Sequence, residues 1–221
     1  MQLIKEIVAL FEANRNYANA EPMAKYMKNQ FPFLGIKTPV RKALMQKFFR
    51  TSGILQSPFQ EALVVALWEK EEREYQYAAL DYLKRSLPKL TKNDLPLMQK
   101  LITTKSWWDT VDTLAQHPVG TIALKYPEVI PETIFAWAQS ENMWLRRTAI
   151  LFQLKYKAKT DEKLLYEIIK QNAHSKEFFL QKAIGWALRE YSKTNPDSVK
   201  KFIMENELPK LSLREGSKYL P

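Results

Sequence analysis

The 221-residue sequence predicts an all-α fold from three observations. Only five glycines occur in the chain. Apolar residues recur at helical spacing, and no stretch shows the alternation of a half-buried strand. Short polar breaks carrying prolines separate these stretches, and several prolines stand at or just before a helix start. Because helix pairs of about 35–45 residues describe the middle of the chain, we expect an α–α superhelix with a concave face. An irregular helical bundle is the alternative.

Fourteen helices are predicted in chain order, each from an apolar stripe that recurs every three to four residues. They span residues 2–14, 20–30, 38–50, 57–69, 73–86, 91–103, 107–115, 118–125, 128–139, 142–157, 161–172, 176–192, 196–204 and 212–219. No strict consensus repeats along them, so the predicted solenoid is a degenerate one.

The composition argues against several classes of protein. The chain has no cysteine and only two histidines, His117 and His174, so disulfides are excluded and neither a metal site nor a cofactor is expected. Lys5 and Glu6 interrupt the apolar run at the N-terminus, and no run approaches the roughly 18 apolar residues of a membrane span. We therefore expect a cytoplasmic protein whose residues 1–221 form one domain. A solenoid with a continuous core needs no second copy, which predicts a monomer.

The charge of the chain is strongly positive and evenly spread. The net charge is +10, with 17 basic and 11 acidic side chains in residues 1–110 and 17 and 13 in residues 111–221. A positive balance along a folded body indicates a polyanionic partner that binds an extended, basic face. The simpler interpretation is a soluble protein that is merely basic.

A serine opens a predicted helix in the middle of the chain. Ser106 stands at the N-cap position and Asp109 follows three residues later, which is the capping-box pattern. Helical spacing places Trp107, Val111 and Leu114 on one face, which should point into a core. The capping pattern gives Asp109 a structural role.

The adjacent face of the same helix carries a candidate ligand-binding site. Trp108 and Asp112 lie one turn apart there, and Asp112 has no cap to make and no cation one turn ahead. An indole face beside such a carboxylate indicates a positively charged ligand. A glycoside hydrolase that pairs Asp109 with Asp112 is a second hypothesis. It is disfavoured because the two side chains point about 60° or more apart around the helix.

Two later helices present polar or aromatic groups where core residues are expected. Arg147 emerges from an apolar strip, so its guanidinium requires either a carboxylate of the fold or a phosphate. Trp186 lies at the edge of an apolar stripe, with Lys182 one turn before it and Arg189 one turn after it. That tryptophan either packs against a nucleic-acid backbone or closes a seam between helices. Gly185 beside it indicates a close approach to the helix backbone.

Five stretches of the chain carry a resemblance to a known family. They are AEPMAKYMKN (20–29), FLGIKTP (33–39), TKSWWDTVD (104–112), NMWLRRTAILFQLKYK (142–157) and SKEFFLQKAIGWALREYSKTNPD (175–197). With them the chain resembles, over roughly its whole length, the AlkD family of bacterial DNA alkylation-repair glycosylases. The resemblance implies HEAT-like helix pairs whose concave basic face holds duplex DNA. It also implies hydrolysis of the N-glycosidic bond of cationic N3- and N7-alkylpurines, such as 3-methyladenine and 7-methylguanine, which leaves an abasic site.

The resemblance also assigns roles to residues. It implies that Asp112 is the catalytic cleft aspartate and that Trp108 and Trp186 are the two cleft tryptophans. It implies DNA binding for Arg147 and Tyr26, and Tyr26 matches a tyrosine of the family's N-terminal helix that helps support the cleft. Lysine and arginine side chains along the groove would bind phosphates, and Lys182 and Arg189 are the candidates beside Trp186. The alternative is a non-catalytic DNA-binding module of helical repeats.

Overall fold

The computed structural model describes residues 2–220, and its regular structure in that range is entirely helical. The all-α prediction is confirmed, and each of the fourteen α-helices overlaps one predicted helix. The helices are Gln2–Glu12 (α1), Tyr17–Tyr26 (α2), Thr38–Ser52 (α3), Glu61–Glu69 (α4), Arg73–Ser86 (α5), Leu95–Thr103 (α6), Trp108–Leu114 (α7), Gly120–Lys125 (α8), Phe135–Ala138 (α9), Met143–Leu151 (α10), Glu162–Asn172 (α11), Phe178–Tyr191 (α12), Pro196–Glu205 (α13) and Lys210–Gly216 (α14).

The helices belong to two compact units, Met1–Leu90 and Thr91–Pro221. The first unit contains α1 to α5, and the second contains α6 to α14. The single domain predicted over residues 1–221 stays a prediction, as do the superhelical stacking and the concave basic face.

In the first unit the apolar faces of the helices form a common core. Ile7 and Phe11 of α1 are fully buried, and the Phe11 ring stacks on Tyr75 of α5 with the centroids 5.5 Å apart. Met45 and Phe48 of α3 complete this part of the core. Burying a large apolar side chain stabilises a fold by about 1.5–3 kcal/mol, so these residues hold α1, α3 and α5 together.

A buried carboxylate orders the connection between α2 and α3. Glu74 of α5 is fully buried and accepts hydrogen bonds from the backbone N–H groups of Leu34, Gly35 and Ile36, at 2.9, 2.8 and 3.0 Å. Gly35 has a φ of 86°, and a Cβ at this position would lie 1.9 Å from the carbonyl oxygen of Asn16. The loop therefore needs both glycine and the carboxylate.

In the second unit α10 is the central helix. It packs against α6, α7, α9, α11 and α12, and its residues Ile150 and Leu151 are buried. Asn142 caps its start, since the side-chain oxygen accepts from the backbone N–H groups of Trp144 and Leu145 at 2.9 and 3.3 Å. The predicted end at residue 157 was wrong, because α10 ends at Leu151 and gives way to turns.

The break predicted between α7 and α8 is not a break in the structure. Ala115–Val119 forms a π-helical turn that continues α7 directly into α8, with Pro118 buried inside it. Proline has no N–H to donate, and a π-turn accommodates the missing bond by widening the helix. The N–H of Gly120 accordingly donates to the carbonyl of Ala115, five residues back.

The close approach predicted at Gly185 is confirmed, and the element that approaches is α14. A Cβ on Gly185 would lie 2.5 Å from the Cβ of Glu215, and 3.0 Å from the carbonyl oxygen of Ser212. The buried Ser212 hydroxyl donates to the carbonyl of Gln181 at 2.9 Å, which fixes α14 against α12.

Candidate functional site

The candidate site is built around a buried ion pair between α7 and α10. Asp112 and Arg147 are 9% and 5% exposed. The Nε of Arg147 donates to Oδ1 of Asp112 at 2.6 Å, and its Nη2 donates to Oδ2 at 2.9 Å. This two-point pairing fixes the plane of the carboxylate.

A third helix completes the environment of the pair. The remaining nitrogen of the guanidinium, Nη1 of Arg147, donates to the backbone carbonyl of Phe179 in the first turn of α12. The ion pair that the sequence left as one of two possibilities for Arg147 is thus present, and all three nitrogens of its guanidinium face protein. A contact between Arg147 and DNA stays a prediction.

Burial has the largest effect on the pKa of Asp112. Desolvation raises the pKa of this carboxyl above its ordinary value, and the hydrogen bonds and charge of Arg147 offset part of that rise. The charge of Asp109 raises the pKa slightly further. Asp112 pairs with the guanidinium of Arg147, and this ion pair argues against a glycoside hydrolase that uses Asp109 and Asp112 as its two carboxylates.

Aromatic rings pack next to this ion pair. The Trp107 ring lies 5.8 Å from Trp144 and 5.1 Å from Phe179, and Trp144 and Phe179 are also 5.1 Å apart between centroids. Val111 and Leu114 are fully buried, as predicted. Sequence reasoning missed Trp144 and Phe179, although both stand in the first turn of a helix that it predicted.

The capping pattern at the start of α7 was wrong. The helix begins at Trp108 with Trp107 as its N-cap, and no side chain caps it. The Ser106 hydroxyl instead donates to the carbonyl of Ile102 at 2.6 Å, at the end of α6. Asp109 lies in the first helical turn, where a negative charge interacts favourably with the helix dipole.

The two tryptophans that the resemblance assigns to the cleft lie on helices that both contact α10. Trp108 is the first residue of α7, one turn before Asp112, and Trp186 lies near the middle of α12. Both side chains are half-buried, which leaves part of each ring accessible. The structure thus places Trp108, Asp112, Arg147 and Trp186 on three neighbouring helices of the second unit.

The two cations beside Trp186 share one carboxylate. Lys182 Nζ and Arg189 Nη1 each lie 3.0 Å from a different oxygen of Glu215 on α14. The hydrogen bond from Lys182, helped by the charges of Arg189 and Arg214, lowers the pKa of Glu215 although burial opposes it. No local pattern in the sequence indicated that α14 would provide this carboxylate.

Tyr26 belongs to the first unit. It is the last residue of α2 and is 69% exposed. Its DNA binding and its supporting role at the cleft, both implied by the resemblance, stay predictions.

A basic groove lies between α3 and α5 in the first unit. We call it the α3–α5 groove; its volume is about 600 Å³, and its charged lining residues are Lys42, Arg50, Asp81, Lys84 and Arg85. Asp81 also pairs at 3.0 Å with Arg41, so the lining holds four cations and a single carboxylate that is shared with a fifth cation. Burial, followed by repulsion from Lys42 and Arg41, lowers the pKa of Lys84 against the opposing effect of Asp81. An anion in this groove would relieve that repulsion.

Comparison with known proteins places the chain in a family. A sequence model of the family described as DNA alkylation repair enzyme matches residues 7–220. The chain belongs to this family. None of the curated protein sequences shows significant similarity to it.

Several solved structures are similar in fold to this chain. One is described as "Predicted DNA alkylation repair enzyme from Enterococcus faecalis"; it is 37% identical, covers 93% of this chain and 96% of its own, and superposes with a TM-score of 0.86. AlkD2 from Streptococcus mutans is 20% identical over 77% of this chain and 87% of its own, with a TM-score of 0.61. The smu.31 protein of the same species is 20% identical over 82% of this chain and 98% of its own, with a TM-score of 0.62. These last two similarities show the fold alone.

Two features are absent from the residues that the structure describes. Within residues 2–220, no helix combines the length and apolar character that crossing a membrane requires. The same part of the chain contains no group of three or more histidine or carboxylate side chains arranged to hold a metal ion.

Proposed function

We propose that the protein is a DNA glycosylase that hydrolyses the N-glycosidic bond of cationic N3- and N7-alkylpurines in duplex DNA and leaves an abasic site. The observation that carries this proposal is the buried Asp112 carboxylate, held at both oxygens by Arg147 and one turn from the half-buried Trp108. Membership of the DNA alkylation repair enzyme family supports the choice of substrate class.

The reaction needs no acid catalyst from the protein, because the positive charge of the alkylated base already makes it a good leaving group. When the bond between C1′ and N9 breaks, its electron pair neutralises the purinium, and the base leaves without protonation. The sugar becomes an oxocarbenium-like cation, which Asp112 stabilises because its carboxylate is preorganised for developing positive charge. Water forms the new bond to C1′, and its proton passes to Asp112 or to solvent.

Arg147 acts here as a positioning residue. Two-point hydrogen bonding holds the Asp112 carboxylate in one orientation, and each carboxylate oxygen keeps a second lone pair for a ligand or water. The partly accessible rings of Trp108 and Trp186 would contact the deoxyribose of the lesion through cation–π attraction, which grows as charge develops.

Duplex DNA as the partner is supported by the charge of the chain. The net charge is +10, and the α3–α5 groove presents four cations against one carboxylate, which also pairs with Arg41. Such a surface binds phosphates with salt-dependent and largely sequence-independent affinity. We expect the protein to act as a cytoplasmic monomer that needs no metal or cofactor.

The deciding experiment measures release of free base from a duplex oligonucleotide with a single 7-methylguanine. The protein should release the base faster than the spontaneous rate, and Asp112→Asn should lose that release while still binding duplex. Asp109→Asn is the matched control, because it changes a neighbouring carboxylate of the same helix and should leave release nearly intact. Since Asp112→Asn leaves the charge of Arg147 buried without its counter-ion, the melting temperature of each variant is compared first.

One observation favours a second candidate, a duplex-binding protein without catalysis. Both oxygens of Asp112 already accept hydrogen bonds, as they would in an ion pair with a purely structural role. In that case the unmodified protein would bind duplex but release no 7-methylguanine above the spontaneous rate. That result would remove the catalytic role proposed for Asp112.

A further inference from the structure

The carboxylate of Glu215 bridges two cations that sequence reasoning assigned to DNA. Its Oε1 accepts from Lys182 and its Oε2 from Arg189, each at 3.0 Å. Arg214 approaches the same carboxylate at 3.9 Å, so a single negative charge lies among three positive ones.

The bridge spans the face of α12 that carries Trp186. Lys182 and Arg189 are seven residues apart, which places them on one side of the helix with two turns between them. Trp186 stands between them in sequence, within one turn of each. An anion that reaches both cations therefore lies beside this tryptophan.

The position of Glu215 is fixed by packing and not only by charge. Its side chain is 18% exposed, because α14 approaches α12 closely at Gly185. The Lys182 and Arg189 side chains remain 37% and 24% exposed, so both ends of the bridge are accessible from solvent.

A carboxylate and a phosphodiester offer these cations the same contacts. Each carries one negative charge and two oxygens that accept charge-assisted hydrogen bonds. A backbone phosphate could therefore replace Glu215 at Lys182 and Arg189 without a new arrangement of α12.

We propose that Glu215 occupies the position of a DNA backbone phosphate beside Trp186 and is displaced from Lys182 and Arg189 when duplex binds. This inference rests on the proposed function only in taking duplex DNA as the ligand. The internal carboxylate competes with every phosphate for the two cations, so it lowers the affinity for undamaged duplex. Glu215 thus shortens the time that the protein spends on undamaged duplex, because weaker general binding is lost mainly through faster dissociation.

The test measures binding of an undamaged duplex by Glu215→Gln across a range of salt concentrations. Removing the internal anion should tighten binding at low salt by roughly fivefold. It should also steepen the dependence of log affinity on log salt by about one to two, because two cations become available for phosphates. A variant damaged by loosening of α14 would bind more weakly, so a gain in affinity cannot come from misfolding.

Two further variants test whether the gain in affinity comes from freeing Lys182 and Arg189 or only from the loss of one negative charge. Glu190→Gln removes another carboxylate of α12, one that pairs with Lys193 at 2.6 Å, and should change affinity much less. In a Lys182→Gln, Arg189→Gln background, Glu215→Gln should no longer tighten binding. An equal gain in the Glu190 variant, a gain that persists without the two cations, or no gain at all would each overturn the proposal.

Inorganic phosphate at matched ionic strength distinguishes a small-anion site from a DNA site. If Glu215→Gln tightened binding of inorganic phosphate but not of duplex, the inference would be wrong. Because all these measurements use undamaged DNA, their outcome is independent of base release. Failure of the glycosylase proposal and failure of this inference are therefore separate results.

Discussion

At the scale of single residues, the proposed chemistry depends on Asp112, and Arg147 fixes the orientation of that carboxylate. Burial works against ionisation of Asp112, whereas two hydrogen bonds from the guanidinium favour it. The carboxylate is the form that can stabilise a developing cation, so the balance between these effects sets the range of pH in which the site can work.

We predict that base release falls on acidification at a higher pH than an ordinary aspartate would give. An exposed aspartate titrates near pH 4. The pKa of Asp112 is raised, so as the pH falls this carboxylate takes up its proton earlier and release is lost earlier. Single-turnover release of 7-methylguanine, measured over a series of pH values and corrected for the spontaneous rate, gives the position of this acid limb.

The Asp112→Asn variant provides the control for that profile. It has no carboxyl to titrate, so any residual release should lack the acid limb. An acid limb of the unmodified protein at or below about pH 4 would contradict the raised pKa.

At the scale of elements, the loop between α2 and α3 depends on a residue more than thirty positions away. Glu74 accepts three backbone N–H groups with its two oxygens. We predict that Glu74→Gln destabilises the protein by about 1–3 kcal/mol, because an amide has one accepting oxygen and turns a donor toward buried donors. Urea unfolding monitored by circular dichroism measures the loss.

Glu71 offers a matched substitution for that measurement. It is exposed and stands three residues before Glu74, so Glu71→Gln should change stability by less than about 0.5 kcal/mol. Equal stability of the Glu74 and Glu71 variants would mean that the buried carboxylate does not hold the loop.

Much of the element order could be predicted from the sequence, because helical spacing of apolar residues is a local property. The ends of elements were less predictable. The Ser106 hydroxyl could cap the helix that follows or bond to the helix that precedes it, and packing selected the second. At Pro118 the local rule predicts a break, but burial of the proline favours a widened turn.

The candidate site could also be predicted only in part: its local features were recognisable, whereas the contacts between its helices were not. The isolation of Asp112 from any local partner and the apolar surroundings of Arg147 were visible in the sequence. Their pairing was not, because it joins helices 35 residues apart. The role of Glu215 was equally hidden, since it follows from close packing of α14 on α12 at Gly185.

At the scale of the whole molecule, the positive charge is spread over both units, and the first unit concentrates part of it in the α3–α5 groove. We predict that Lys84→Gln with Arg85→Gln reduces the slope of log affinity against log salt for duplex DNA by about two, since about 0.9 counterions are released per phosphate contact. Fluorescence anisotropy between about 50 and 200 mM salt measures the slope.

A second double variant tests whether position or total charge matters. Lys5 and Lys47 are exposed cations of the same unit, and neither lines the groove. Lys5→Gln with Lys47→Gln removes the same charge and should reduce the slope much less. Equal reductions in both variants would show that the groove has no special part in binding.

The ion pair at the centre of the second unit also bears on how the protein is made. Asp112, Arg147 and the Phe179 carbonyl come from α7, α10 and the first turn of α12. During synthesis from the N-terminus, the carboxylate therefore emerges from the ribosome long before its counter-ion and the carbonyl that orients that counter-ion. A nascent chain that stops short of α12 has the residues of α7 but no assembled ion pair. Under the proposed function, release of damaged bases therefore becomes possible only late in translation.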